Sequence, residues 1–556
     1  MRRTHVPLAL CLILLVFSLS FGQNLEDRVV EHILTNGMTF LFVERHQAPV
    51  FAGRIYVKVG GVDEHVGITG LAHLLEHMAF KGTRHIGTRN YAEEKKILDR
   101  IDRVAEALIQ KRQSFSEEEL DHFVELERQV RVEIQKAHTD KQIAEADLSA
   151  LVIQTLEKKG QEQEDPSLTS YVEFKKLEQE LKRLQEEHKQ YVVKEEFHKI
   201  LQTEGGVGIN AGTAKDYTVY EISLPSNRFE LWALMESDRM RDPVLREFYE
   251  ERDVVAEERR LRTDNKPDGW GGKLYELLVT TAFAAHPYGT PVIGWMSDIQ
   301  SLTRKQLEDF HNLYYVPGNA VAAVVGDINV EEAIPIVEKY FGPLPAGPPP
   351  PDVHTAEPKQ MGERRVELEY DAEPRVMIAY HKPTLPAFDD YVFDVIDYLL
   401  YSSGRSARLY KRLIKKDRIA SSIKLYSTPG SRFPNLLFME VVPIHPHTTE
   451  EVEAAIYDEI ERLKTEPVSE HELQKVKNQL LANFIRGLSS NEGLAEQLAY
   501  FQLIAGDWRY IVTHRQVVDQ ITPEDIMRVA RTYLTRQNRT VATLIKKATA
   551  KSDSGI

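Results

Sequence analysis

His73-Leu74-Leu75-Glu76-His77 is the segment of this chain best equipped for chemistry, because a helix through it places two imidazoles and a carboxylate on one face. At 100° per residue, with His73 at 0°, Glu76 falls at about −60° and His77 at about +40°, whereas Leu71, Leu74, Leu75 and Met78 gather between about 100° and 200°. One face packs and the other reacts. Residues four apart are neighbours on a helix, so both imidazoles can reach one ion at about 2.0–2.1 Å, leaving room for a third ligand and a water. Glu76 can then take the proton of that water. Thr69 is the expected N-cap of this helix and Gly82 its expected left-handed terminator. The third donor has to come from elsewhere, and the acid-rich helical stretch from Glu250 to Arg260 offers several. Glu251 and Glu258 lie two turns apart on one face; residue type alone leaves Glu251, Glu257 and Glu258 open.

The elements that position these groups belong to a long chain of 556 residues, 42% hydrophobic, enough for several domains. A net charge of −15 provides no overall basic field, which argues against nucleic acid as the partner. Met1-Arg2-Arg3, an apolar run from Val6 to Phe21, and Ser20-Phe21-Gly22 before Gln23 read as an export signal over residues 1–22. The only cysteine, Cys11, falls inside it, so the mature chain is expected to carry neither thiol nor disulfide, as suits an oxidising compartment such as a periplasm. No later segment is long and apolar enough for a transmembrane span.

Short β-branched runs from Leu34 to Val57, broken at Asn36-Gly37, predict a hairpin leading into the His73 helix. From about residue 93 to 201 the composition turns to Glu, Lys, Gln and Leu, with Phe174, Leu177, Leu181, Leu184, His188 and Tyr191 in a heptad seam. Two or three long helices are expected there, as an antiparallel coiled-coil hairpin broken near Gly160 and Asp165-Pro166. Six prolines between Pro343 and Pro351 predict an extended linker, 343–358, between an N-terminal domain, 23–342, and a second one, 359–556. The run Asp298 to Val325 is echoed by Asp519 to Ile545, each with Thr, a helical stretch, Tyr, Asn and an apolar strand in that order, which points to duplication. The counterpart of the His73 helix, around Val395 to Gly404, contains no His and no Glu.

The chain resembles the pitrilysin or insulinase-type inverzincin metallopeptidases, in particular the class of mitochondrial processing peptidase. The resemblance runs from about Leu34 to Arg536 and rests on Gly70 to Thr83, Gly206 to Thr213, Glu251 to Glu258, His286-Pro-Tyr-Gly289 with Pro291-Val-Ile-Gly294, and Tyr314 to Asn319. The order His-x-x-Glu-His is the signature of that class. It implies an α+β fold of two homologous α/β-sandwich domains with the helical hairpin inserted in the first. It further implies that His73, His77 and Glu258 bind Zn2+, that Glu76 is the general base, and that Glu251 supports the site. A peptide substrate would add as a strand alongside Asn210 and Ala211. Two such chains, or chain halves, would close around a chamber.

The chain departs from the family pattern in two places. Glu258 follows the His pair much later than in ordinary relatives, and the helical insertion accounts for the excess. An Arg and a Tyr that relatives carry in the noncatalytic half align here with Ile414 and Ser421. The expectation is therefore a zinc endopeptidase subunit whose missing groups come from a related partner in a heterodimer, or from a second copy in a homodimer. The rival readings are an assembly subunit that keeps the motif without turnover, and a peptide-binding protein whose arm docks on the envelope.

Overall fold

The computed structural model describes residues 25–137, 144–266 and 271–547. Residues 1–22, read as an export signal, lie outside that range, as does Cys11. Two mixed sheets organise the chain. The first contains β1 (Val30–Ile33), β2 (Thr39–Glu44), β3 (Val50–Val57), β4 (Val207–Thr213), β5 (Thr218–Pro225) and β6 (Ala320–Gly326) in the order β1-β2-β6-β3-β5-β4. The second contains β7 (Arg364–Tyr370), β8 (Arg375–Lys382), β9 (Ala420–Thr428), β10 (Asn435–Pro443) and β11 (Arg539–Lys546) in the order β7-β11-β8-β10-β9. Each has one parallel pair, β2 with β6 and β7 with β11, and is otherwise antiparallel. The expected hairpin is β1 with β2, turning at Gly37 with φ +92°. β3 does not extend it, because β6 inserts between β2 and β3.

The internal echo is visible down to single hydrogen bonds. Thr303 and Thr522 each close a capping box, on the helices Arg304–Tyr314 and Pro523–Tyr533. After them, the Asn319 amide donates to the carbonyls of Tyr314 (2.9 Å) and Lys58 (3.1 Å), and the Asn538 amide to those of Tyr533 (2.8 Å) and His381 (2.7 Å). In both copies this asparagine pins the strand that follows the helix to the central strand of its sheet.

The halves also trade helices. Leu494, Leu498 and Leu503 of the helix Asn491–Ala505 pack on Leu41, Val43, Ala52 and Val325 of the first sheet. Leu274, Leu278 and Ala282 of the helix Lys273–Ala282 pack on Met377, Ala379, Phe438 and Leu544 of the second. With both faces covered, β6 is apolar along its whole length, Ala320-Val-Ala-Ala-Val-Val-Gly326. Residues 345–363, in the Pro-rich region, form no helix or strand.

The helix of the His pair is α1 (Leu71–Met78). The inserted arm comprises α2 (Tyr91–Gln113), α3 (Glu117–Ala137), α4 (Glu145–Glu162) and α5 (Pro166–His188), four helices where two or three were expected. They share a core of their own around Phe123, Val130, Val152, Leu156 and Tyr171. The predicted break occurs as Asp165 caps α5 and Pro166 opens it. The chain returns through α6 (Glu196–Thr203) and α7 (Phe229–Arg241) to α8 (Phe248–Arg259), the acid-rich helix. Among the described residues no helix is long and apolar enough to cross a membrane.

Candidate metal centre

α1 buries Leu71, Ala72, Leu74, Leu75 and Met78 in the first core and turns Glu76 and His77 toward α8. Its ends are made differently from the sequence expectation. The Thr69 hydroxyl does not cap the helix but donates to Asp298 Oδ2 (2.7 Å) and accepts from Trp295 N–H (2.9 Å). The cap is the buried Glu64, whose carboxylate accepts from Gly70 N–H (2.8 Å) and Ala72 N–H (2.7 Å). Burial pushes Glu64 up to about 8 in spite of these bonds. The helix stops at Met78, and Gly82, with φ +93°, shapes the turn beyond it.

His73, His77 and Glu258 converge, with ligand atoms within 4.8 Å of one another, as the group that could hold a metal ion among the described residues. Glu258 Oε2 stands 3.8 Å from His73 Nε2 and 3.6 Å from His77 Nε2. Donors on a tetrahedral zinc shell lie about 3.3 Å apart when each bond is about 2.0–2.1 Å, so Glu258 stands within about half an ångström of that spacing from each imidazole. The donor set fits zinc as well, two imidazole nitrogens and one carboxylate oxygen. Burial, with the charges of His77 and Arg262, pushes His73 down to about 3, leaving a neutral imidazole free to ligate.

The three candidate acids of α8 take different places. Glu258 joins the pair, Glu251 accepts from His77 Nδ1 at 2.9 Å, and Glu257 faces solvent against Arg260. The bond that His77 Nδ1 donates to Glu251 orients the ring and leaves Nε2, turned toward Glu258, as the nitrogen that would ligate a metal. Lys81 Nζ sits 2.6 Å from the other Glu251 oxygen. Burial works to raise the Glu251 carboxyl, but the bonds from His77 and Lys81 prevail and hold it at about 2. The His73 Nδ1, by contrast, is buried with no hydrogen-bond partner. Arg259 locks α8 in place through Gly294 O (2.7 Å) and Glu276 (2.9 Å), and Arg262 reaches Glu258 Oε1 at 2.8 Å.

Glu76 lies beside this cluster, its carboxyl raised by burial, and accepts from the Thr213 hydroxyl at 3.1 Å. Thr213 ends β4, the edge strand, whose far side has no neighbouring strand among the described residues. Asn210 and Ala211 lie on that strand opposite Glu221 and Tyr220, behind a bulge at Gly208. The structure thus brings His73, Glu76, His77, Glu251 and Glu258 together and sets Asn210 and Ala211 on the strand leading to them. Glu64, Lys81 and Thr213 were missed as site residues. The last two lay within the quoted motifs, whereas nothing near Glu64 in sequence distinguishes it from surface charge.

A buried and a half-buried imidazole and a carboxylate closing on one point, with a second carboxylate at the mouth of an open sheet edge, make an arrangement of the kind metal-dependent hydrolases use. A family model described as Insulinase (Peptidase family M16) matches residues 39–97, and one described as Peptidase M16 inactive domain matches residues 301–480. The chain is 33% identical over 348 residues to the zinc protease PqqE of Helicobacter pylori, a match covering 61% of this chain and 76% of that relative. A crystal structure of a protease from Helicobacter pylori aligns with a TM-score of 0.69 at 25% identity, over 93% of this chain and 99% of that one. The periplasmic protease PqqL from Escherichia coli shares the fold, with a TM-score of 0.62 at 15% identity over 94% of this chain but 48% of that chain. The chain belongs to peptidase family M16, the insulinase-type peptidases.

Proposed function

We propose that the chain is the metal-bearing subunit of an exported zinc endopeptidase of the processing-peptidase class, hydrolysing peptides or unfolded segments in a chamber closed by a related second chain. The observation that carries this reading is the convergence of His73, His77 and Glu258 beside Glu76, at the end of an unpaired sheet edge. A zinc ion held by the three ligands supplies Lewis-acid activation of water and of the scissile carbonyl. The peptide lies extended along β4, where backbone groups of the open edge pair with it and Thr213 brings its path to Glu76. Glu76 takes a proton from the attacking water and returns it to the leaving amine. Partial burial, which raises its carboxyl, suits a group that must hold and then release that proton. No nucleophilic side chain is needed.

The case for a partner rests on the second half. Ile414 packs against the second core and the Ser421 hydroxyl donates to Val442 O at 3.2 Å, so neither offers the cationic or phenolic group that the family resemblance leads one to expect there. This chain spans about half the length of PqqL, which leaves room in that protein for a second unit of the same size. The test is hydrolysis of a quenched unstructured peptide by the zinc-loaded chain, alone and mixed with a related M16 chain from the same source, with and without chelator. Chelator-sensitive cleavage that needs the mixture is the expected result. Equal cleavage by this chain alone refutes the partner, and zinc binding without cleavage in any mixture refutes the peptidase.

A further inference from the structure

The arm enters and leaves the first domain at a buried cluster that also holds the turn behind α1. Glu94 on α2, His188 on α5 and Arg246, two residues before α8, are each no more than 1% exposed. Arg246 Nε donates to Glu94 Oε1 at 2.6 Å and one terminal nitrogen to Glu94 Oε2 at 3.2 Å, while His188 Nε2 lies 3.0 Å from Glu94 Oε1. One carboxylate therefore joins both feet of the arm to a single guanidinium.

The remaining donors of Arg246 all go to the turn that follows the metal helix. They reach Lys81 O (3.1 Å), Ile86 O (3.1 Å) and Thr83 O (2.6 Å). A guanidinium has five N–H groups in a fixed plane, and each has an acceptor here. The turn wraps closely around it: a Cβ at Gly82 or Gly87, both at positive φ, would stand 3.2 Å from an Arg246 terminal nitrogen. Lys81 leaves this same turn to hold Glu251, and Glu251 holds His77. The connection from the arm to a metal ligand is thus continuous: Glu94 and His188, Arg246, the turn 81–86, Lys81, Glu251, His77.

We infer that Arg246 is a positioning residue that makes correct seating of the helical arm a condition for the metal-binding geometry of His77. The inference rests on the metal site proposed above, and not on proteolysis. The arm thereby becomes part of the site's support. A lysine at 246 keeps the charge but, with three donors on one atom, cannot serve Glu94 and three carbonyls in a plane.

The test is titration of the full-length chain with Co2+ alone, read by visible absorption, which reports coordination, and by competition with a chromophoric chelator. Circular dichroism and thermal melting of the same samples establish folding. Arg246→Met and Arg246→Lys are expected to weaken Co2+ binding about tenfold, at the lower end for loss of outer-shell support, and to alter the absorption bands. Val152→Ala, in the arm's own core, is expected to lower the melting temperature and leave affinity and bands unchanged. If Arg246→Met does not fold, Arg246→Lys and His188→Gln decide. Folded Arg246 or His188 variants with wild-type affinity and bands overturn the inference, as does an equal loss in Val152→Ala. Wild-type chain that binds Co2+ and cleaves nothing refutes the peptidase alone; wild-type chain that binds no Co2+ refutes the metal site itself.

Discussion

Glu251→Gln isolates the support given to one metal ligand while leaving all three ligands in place. The Glu251 carboxylate accepts from His77 Nδ1 at 2.9 Å on one oxygen and from Lys81 Nζ at 2.6 Å on the other. Glutamine has almost the same shape but only one acceptor. Whichever way the amide lies, an NH2 group faces either the imidazole N–H or the ammonium. Lys81 can turn to Glu247, 3.6 Å away, so the amide oxygen stays with His77 and what His77 loses is the charge of its acceptor. Because His73 Nδ1 has no partner, Glu251 carries all of the outer support given to the imidazole pair. Removing such a partner costs about 10–100-fold in metal affinity, or about 1.4–2.7 kcal/mol. Competition of the zinc-loaded variant against a chromophoric chelator measures it. A zinc Kd within twofold of wild type would refute the reasoning.

Three further outcomes follow from the geometry. Arg432→Met strands the buried Asp63 that it pairs across the two halves at 3.1 Å, and melting should show a loss of about 3–5 kcal/mol, partly restored when Asp63→Asn is added. Gly294→Ala introduces a Cβ 2.7 Å from Gly70 Cα at a position with φ +86°, so the start of α1 must shift; a loss of about 1–3 kcal/mol in melting, together with reduced zinc content after dialysis, is expected. Methylating alternate backbone nitrogens of a peptide substrate should raise KM about 2–10-fold for each bond lost to β4, with little change in kcat, if the peptide adds as a strand.

The chemistry of α1 was legible because two periodicities coincide in eight residues, an apolar stripe and an opposed polar triplet. The repeat was legible for a local reason too, since Thr303 and Thr522 cap their helices with groups three residues on. The arm's helical character was plain, but the boundary between α2 and α3 was passed over. There Ser116 and Glu119 bond each other's backbone across a break without Gly or Pro, and Ser116-Glu-Glu-Glu119 is itself a cap signal. The exchange of helices between sheets was hidden, because an apolar stripe does not name the surface it covers. Glu94 and Arg246 were hidden for a related reason: a charge is read as solvated until its long-range partner is known, and these two lie 152 residues apart.

The most direct test of the central claim compares zinc-loaded wild type with Glu76→Gln in hydrolysis of a quenched peptide, in whichever mixture is active, with bound zinc measured in both. Glu76 is not a ligand, so the account predicts full zinc content and a rate lower by about 10²–10⁴-fold, the contribution of a general base. A Glu76→Gln enzyme that retains zinc and cleaves at the wild-type rate would contradict it.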